Sequence, residues 1–225
     1  MQIIPVKTPK LVKHVLPSLI WNIETNEKVI YLTFDDGPTP EITEWTLRTL
    51  EAFHAKATFF CIGDNIDKHP EIFQLILKKE HAVGNHTYNH LKGWKRDTQT
   101  YIDNTLKAQE SINKQVLKSA INNHESTSLN LFRPPYGRIK SKQIKEISKL
   151  NYQIIMWNVL SKDWDSSVSK EKCLENVIKK TQSGDIVVFH DSVKASRNMQ
   201  HALPRMLEYF TEKGFKFKRI PELNQ

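Results

Sequence analysis

The chain has 225 residues, of which 39% are hydrophobic and 26% are charged, and its formal net charge is +8. With 7 Gly, 10 Pro and 2 Cys, this composition excludes low-complexity, disordered and disulfide-framework proteins, and no apolar run reaches the roughly 18 residues of a membrane span. The length predicts a single domain over residues 1–225.

Short β-branched and aromatic runs alternate with segments of helical periodicity along the chain. The first half predicts a strand over 28–34, a helix over 41–53, a strand over 57–62, a helix over 69–79, a strand over 82–86 and a long helix over 98–118. The second half predicts a polar loop over 122–130, then strands over 130–133, 152–159, 185–190 and 215–220, separated by helices over 140–150, 169–180 and 195–213. The last helix contains Pro204, where we expect it to be interrupted.

Seven strands alternating with helices indicate parallel βαβ units, which both a doubly wound sheet and a (β/α) barrel can accommodate. No glycine-rich phosphate loop follows the first strand, and polar residues follow most of the strands. Both observations favour a barrel of about seven parallel strands with its active site at their carboxyl ends.

The first and third predicted strands end in groups suited to binding a metal. Asp35 and Asp36 follow a buried strand, where carboxylates are costly without a cation or another partner, although a helix cap or turn is the simpler alternative. His86 and His90 have the i, i+4 spacing that lets two imidazoles share an ion. Two His plus either aspartate is a pattern typical of a hydrolytic zinc site, or of a similar divalent ion.

Three later strands are also followed by polar residues. Arg133 could fix a carboxylate through a bidentate pair, and the rigid turn after it could aim the Tyr136 amide at an oxyanion. Asp163 and Trp164 follow the fifth predicted strand, and His190 ends the sixth, where a satisfied core histidine is the alternative interpretation. Polar groups at the ends of five strands predict one converging site.

The motifs TFDDGP (33–38), HTYNH (86–90), RPPYG (133–137), Asp163-Trp164 and VFH (188–190) resemble those of the polysaccharide deacetylases, the NodB-homology domains of carbohydrate esterase family four. The resemblance spans about residues 28–220 and implies a distorted β/α barrel and a metal-dependent hydrolase. It implies roles for individual residues as follows: Asp36, His86 and His90 bind the metal; Asp35 is the general base, oriented by Arg133; His190 is the general acid, tuned by Asp163; the Tyr136 backbone N–H helps hold the oxyanion; and Trp164, Tyr136 and Pro135 contact substrate.

Two positions depart from the family pattern. Val188 stands where the family often has Leu, and Leu160 stands where it often has an additional Asp. Asp191 is a rival to Asp163 as the partner of His190, although as the direct sequence neighbour of His190 we expect it to point elsewhere.

These features predict an enzyme that removes N-acetyl groups from N-acetylglucosamine units of chitin-like oligomers or peptidoglycan. The expected cofactor is one divalent ion, Zn²⁺ first, with Co²⁺, Ni²⁺ or Mn²⁺ as alternatives. An O-acetyl esterase acting on acetylated xylan and a non-catalytic carbohydrate-binding relative are the competing hypotheses.

The positive charge is concentrated in the second part of the chain. Residues 1–90 carry 9 Lys and Arg against 11 Asp and Glu, whereas residues 91–225 carry 24 against 14. No Arg cluster with interleaved aromatics accompanies this excess, so we interpret it as solvated lysines and expect a carbohydrate partner rather than nucleic acid. The absence of a clear signal-peptide pattern predicts a cytoplasmic chain, with action at the cell envelope as the alternative, and we expect a monomer.

Overall fold

The computed structural model of the protein describes residues 5–121 and 128–221, and a parallel sheet lies at its centre. The strands follow the order β5-β4-β3-β2-β1-β7-β6, with β8 paired to β1, and every pairing between them is parallel. The path of seven strands curls into a half-barrel, which confirms the predicted fold class. The strands are β1 (Val29–Asp35), β2 (Thr58–Cys61), β3 (Ala82–Asn85), β4 (Ser128–Phe132), β5 (Gln153–Ile154), β6 (Val159–Leu160), β7 (Ile186–His190) and β8 (Lys216–Lys218).

Strand β1 pairs with three other strands, and all seven of its residues are buried. Its first half pairs with β8, its second half pairs with β2, and β7 lies along its other edge. A parallel strand covered on both faces needs a continuous apolar run, which explains why the sequence there shows no alternation. The β1–β7 register sets Asp35 opposite His190.

Eight helices occur among the described residues. Pro70 opens α4, where its missing N–H costs nothing, and the Ser169 hydroxyl caps α7 by accepting the Lys172 N–H. The helices are α1 (Lys10–Val15), α2 (Ile42–Ala52), α3 (Gly63–Lys68), α4 (Pro70–Lys78), α5 (Thr98–Ile121), α6 (Ser141–Lys149), α7 (Lys170–Lys180) and α8 (Ser196–Glu212).

The expected interruption near Pro204 is wrong, because α8 runs through this residue without a break. Leu203 and Leu207 are buried on the two sides of the proline, and the core packing of this face offsets the backbone hydrogen bond that proline cannot make. The predicted polar loop over 122–130 lies outside the described residues up to 127, and 128–130 already belong to β4.

The segment predicted as one strand over 152–159 forms two strands on opposite edges of the sheet. Strand β5 pairs with β4, whereas β6 pairs with β7, and the chain between them crosses the open side of the half-barrel. The N-terminal segment closes the gap, since the Ile20 N–H donates to Ile154 O at 2.9 Å and the Thr8 N–H donates to Asn158 O at 2.9 Å. The sequence analysis predicted neither this crossing nor the helices α1 and α3.

Cys61 and Cys173 are both buried and free, and they pack in the largest apolar cluster, so they are core thiols. Within the described ranges, every helix is too short or too polar to cross a bilayer.

Candidate active site

The carboxyl end of β1 presents two adjacent carboxylates to different partners. Asp35 is buried, and its Oδ1 accepts a hydrogen bond from Arg133 Nη1 at 2.6 Å. Asp36 follows with a φ of 81°, in the left-handed region, and its Oδ1 lies 3.2 Å from His90 Nε2 and 3.7 Å from His86 Nε2. Asp35 therefore contacts an arginine, whereas Asp36, in the left-handed turn, faces the two histidines.

Asp36, His86 and His90 form a cluster that fits a divalent ion. One ligand atom from each residue lies within 4.8 Å of the others, and Asp36 Oδ1 is buried without a hydrogen-bond partner among the described residues. His86 Nδ1 lies 2.7 Å from the Arg133 carbonyl oxygen, so Nδ1 is the donor and Nε2 keeps its lone pair on the Asp36 side. A buried, orphaned carboxylate oxygen beside two imidazole nitrogens is the donor set that Zn²⁺ and similar ions take.

The protonation state of the two imidazoles is that of metal ligands, not that of cations in ion pairs. Burial lowers the pKa of His86 below its ordinary value, more strongly than Asp35 and Asp36 raise it. Burial, with the nearby His86, also lowers the pKa of His90 to about 4. Both rings are therefore neutral at pH 7, which is the form that binds a metal.

Arg133 connects the two halves of the site. Its side chain is fully buried, and Nη1 donates to the Thr33 hydroxyl at 2.7 Å as well as to Asp35. Its Nε and Nη2 donate to the carbonyl oxygens of Ile155 and Met156 at 3.1 and 2.9 Å. The predicted bidentate pair is thus a single contact to Asp35, because the other nitrogens hold the segment that crosses the barrel. Burial alone raises the pKa of Asp35, but Arg133 and the nearby histidines hold it below its ordinary value, so this carboxylate is ionised.

His190 ends β7, and Asp163 contacts both its imidazole ring and its backbone N–H. Its Nδ1 lies 2.8 Å from Asp163 Oδ1, and its backbone N–H donates to Asp163 Oδ2 at 2.7 Å. Burial disfavours the imidazolium, yet the charge and hydrogen bond of Asp163 outweigh it and raise the pKa of His190 to about 9. The Trp164 ring packs edge-on against the imidazole, with centroids 4.8 Å apart.

Asp191 has a separate role in holding the loop after β1. Its carboxylate accepts the Gly37 N–H at 3.1 Å and the Thr43 hydroxyl at 2.5 Å. A Cβ at Gly37 would lie 2.0 Å from Asp191 Oδ2, so this close approach needs glycine. Burial raises the pKa of Asp191 to about 7. Asp163, not Asp191, is therefore the contact of His190, and the bracing role of Asp191 was missed because its partners are 148 and 154 residues away in sequence.

The turn after Arg133 places an exposed aromatic side chain beside the Asp36-His86-His90 cluster. Tyr136 has a φ of 60°, is 52% exposed, and has its ring centroid 4.5 Å from that of His90. Pro135 is buried in the same turn and does not line the cavity described next, so its predicted contact with substrate has no support from this position. The oxyanion role of the Tyr136 N–H stays a prediction.

A cavity of about 250 Å³ brings these side chains together. One side is polar and carries Asp35, the Asp36-His86-His90 cluster and His190, while the rest is mostly apolar. Leu160 and Val188, the two departures from the family pattern, both lie in the apolar part. The sequence analysis missed two lining residues: Trp157 was assigned to an ordinary strand, and Lys194 carries no local signal. The full lining is Asp35, Asp36, His86, His90, Tyr136, Trp157, Leu160, Trp164, Val188, His190 and Lys194.

The Asp163–His190 contact predicts a change in pH dependence. Asp163→Asn keeps an oxygen acceptor but removes the charge that raises the pKa of His190 from 6.5 to about 9. If His190 acts in its protonated form, activity is present below this pKa and is lost as the pH rises through it. The basic limb of the activity profile should therefore move to lower pH by one unit or more, measured as kcat/KM against pH with wild type and variant loaded with the same ion. A basic limb at the same pH in both proteins would show that Asp163 does not set it.

Comparisons with known proteins agree with this geometry. A family model described as polysaccharide deacetylase matches residues 22–155. A peptidoglycan-N-acetylglucosamine deacetylase of Bacillus cereus is 32% identical over 205 residues, covering 90% of this chain and 91% of that protein. The crystal structure of the peptidoglycan N-acetylglucosamine deacetylase Bc1960, in complex with a naphthyl N-hydroxybenzamide, matches with a TM-score of 0.83 and 29% identity over 95% of each chain. A mutant of BA3943, a pseudoenzyme of carbohydrate esterase family four with restored activity, matches with a TM-score of 0.78 and 26% identity, covering 91% of this chain and 70% of that one.

Proposed function

The chain belongs to the polysaccharide deacetylase family, and on that basis we propose that it removes N-acetyl groups from N-acetylglucosamine units of peptidoglycan with the help of one divalent ion. One observation carries the proposal: the Asp36-His86-His90 cluster and the protonated His190 line the same cavity, with the ionised Asp35 beside them. This arrangement offers a ligand set, a base and an acid to one substrate group. The relative in Bacillus cereus, which is matched over nearly its whole length, supports the choice of polymer.

We propose Zn²⁺ as the ion, held by Asp36, His86 and His90. Two neutral imidazoles and one carboxylate suit zinc and leave coordination positions open, although Co²⁺, Ni²⁺ and Mn²⁺ accept the same ligands. When bound, such an ion polarises a carbonyl oxygen and lowers the pKa of water from 15.7 toward ~7.

The chain's own residues supply the proton transfers of amide hydrolysis. Asp35 is ionised and can accept a proton from the attacking water, while Arg133 fixes the direction of its carboxylate. His190 is protonated at neutral pH and can deliver a proton to the departing sugar nitrogen. An amine leaves poorly without that proton, so a positioned acid matters more for an amide than for an ester.

The apolar part of the cavity suits the acetyl methyl group. Trp164 packs against the His190 ring, so its indole lies next to the proposed acid. Leu160 and Val188 complete this wall. Apolar side chains around a few placed polar groups are typical of small-molecule sites, where the polar groups fix the orientation.

Lys194 favours peptidoglycan over chitin among the N-acetylated polymers. It is the one Lys or Arg that lines the cavity within the described part of the chain, and its side chain is exposed. Peptidoglycan carries carboxylates on its peptide stems, whereas chitin is neutral. Lys194→Ala should therefore lower kcat/KM on peptidoglycan fragments severalfold, with a smaller effect on neutral N-acetylglucosamine oligomers, as the two rates measured side by side would show.

Acetate release from a panel of substrates tests the proposal. The panel consists of peptidoglycan, N-acetylglucosamine oligomers and acetylated xylan, each with Zn²⁺, Co²⁺, Ni²⁺ or Mn²⁺. We expect release from the first two, fastest from peptidoglycan. Release from xylan alone would favour the O-acetyl esterase, and binding without release from any member would favour a non-catalytic relative.

A further inference from the structure

A second cavity, of about 320 Å³, adjoins the candidate active site. Tyr136 and Trp157 line both cavities, so the two cavities share part of one wall. The far wall belongs to the N-terminal part of the chain, which contributes a mostly apolar surface. We call this cavity the N-terminal groove; its lining is Pro5, Thr8, Pro9, Val12, Trp21, Tyr136, Gly137, Arg138, Met156 and Trp157.

The N-terminal wall of the groove is tied firmly to the barrel. The Thr8 hydroxyl donates to the Trp157 carbonyl oxygen at 2.8 Å, next to the backbone bond from Thr8 to Asn158. One residue earlier, Lys7 Nζ lies 3.0 Å from the buried Asp185 carboxylate. The Thr8 contacts join the wall to the segment that carries Trp157, and the Lys7 contact joins it to the residue before β7.

Aromatic surface continues past the groove. Arg138 lines the groove, and its guanidinium lies 4.3 Å from the centroid of the Trp94 ring. Trp94 is half exposed, and its Nε1 donates to the Ile139 carbonyl oxygen at 3.0 Å, which fixes the orientation of the ring. Fixed aromatic rings beside an apolar trough offer flat surfaces to the C–H faces of successive sugar rings.

We infer that the N-terminal groove binds a neighbouring sugar of the same polysaccharide chain whose acetylated unit occupies the catalytic cavity. The inference rests on the proposed function and adds that the segment before β1 helps to select chain length. A polymer leaving the catalytic cavity over Tyr136 and Trp157 enters the groove directly, since these two residues belong to both. The aromatic rings of Trp21, Tyr136 and Trp157 in the lining match the C–H face of a sugar ring, a flat surface that an extended peptide stem does not present.

The direct test of this inference is to fill the groove with a larger side chain. Val12 lines the groove and is 38% exposed, whereas Val15 lies on the same helix, is 66% exposed and does not line the groove. We therefore compare Val12→Trp with the matched variant Val15→Trp, and measure kcat/KM for acetate release from N-acetylglucosamine dimer to hexamer. In wild type the hexamer should exceed the dimer about tenfold or more. Val12→Trp should reduce this ratio at least fivefold, and Val15→Trp should leave it as in wild type.

Two further measurements distinguish a wrong groove inference from a misfolded variant and from a wrong proposed function. Val12→Arg fills the same space with a different side chain and should behave as Val12→Trp does, which guards against misfolding of one variant. Calorimetric titration with the hexamer reports binding without turnover, so it judges the groove even if wild type releases no acetate, a result that would count against the proposed function alone. Equal hexamer affinity and an equal hexamer-to-dimer ratio in Val12→Trp and Val15→Trp would overturn the inference.

Discussion

Substituting His190→Ala should lower kcat for amide substrates by ~100-fold or more, the usual range for losing a general acid. The reason is the protonation state of His190. Asp163 contacts both the ring and the backbone of His190 and keeps the imidazole protonated at neutral pH. A charged pair of this kind is costly to bury, and proton donation to a poor leaving group is a function that explains its presence. The measurement is acetate release from N-acetylglucosamine oligomers under saturating conditions.

An activated ester acetate supplies the internal control for His190→Ala. Its leaving group departs with little protonation, so the same variant should lose much less activity on the ester than on the amide. His201→Ala, on α8 and outside the cavity, serves as a histidine control that should match wild type. Equal losses of His190→Ala on amide and ester would remove the acid role and put the esterase hypothesis ahead.

His90→Ala should lower divalent-ion affinity and activity together, each by about 100-fold or more. Losing an outer partner of a metal ligand already costs about 10–100-fold in affinity, and His90 is proposed as a ligand itself. The substitution leaves Asp36 and His86, whose contact atoms are 3.7 Å apart, as the remaining pair. Zinc per chain after dialysis, measured by elemental analysis, should fall in parallel with acetate release, and excess zinc should restore part of both.

The same control variant separates metal loss from general damage. His201→Ala removes an imidazole of the same size and should keep full zinc content. Full zinc occupancy and full activity in His90→Ala would contradict the assignment of this ligand.

The strand ends could be predicted from sequence because each carries a local signal. A continuous apolar run followed by Asp35-Asp36, or by His190, identifies both a buried strand and the chemistry at its end. The parallel pairing of β1 with β7 then places Asp35 and His190 side by side without any further information.

The parts that sequence could not provide depend on contacts between distant residues. The split between β5 and β6 is fixed by Arg133, whose guanidinium binds the carbonyl oxygens of Ile155 and Met156, and a run of apolar residues does not encode such a contact. That split brings Trp157 to the cavity instead of leaving it in the core. The continuity of α8 across Pro204 has a similar origin, because tertiary packing of the helix face outweighs a local signal.

We propose that this chain hydrolyses an N-acetyl amide with one divalent ion bound at Asp36, His86 and His90. The most direct measurement is acetate release from N-acetylglucosamine hexamer by protein stripped with a chelator and then titrated with Zn²⁺. We expect no release from the stripped protein, a rise that levels off at one ion per chain, and one free amine formed for each acetate. Full release by the stripped protein, or no release at any zinc level and with any of the other three ions, would contradict it.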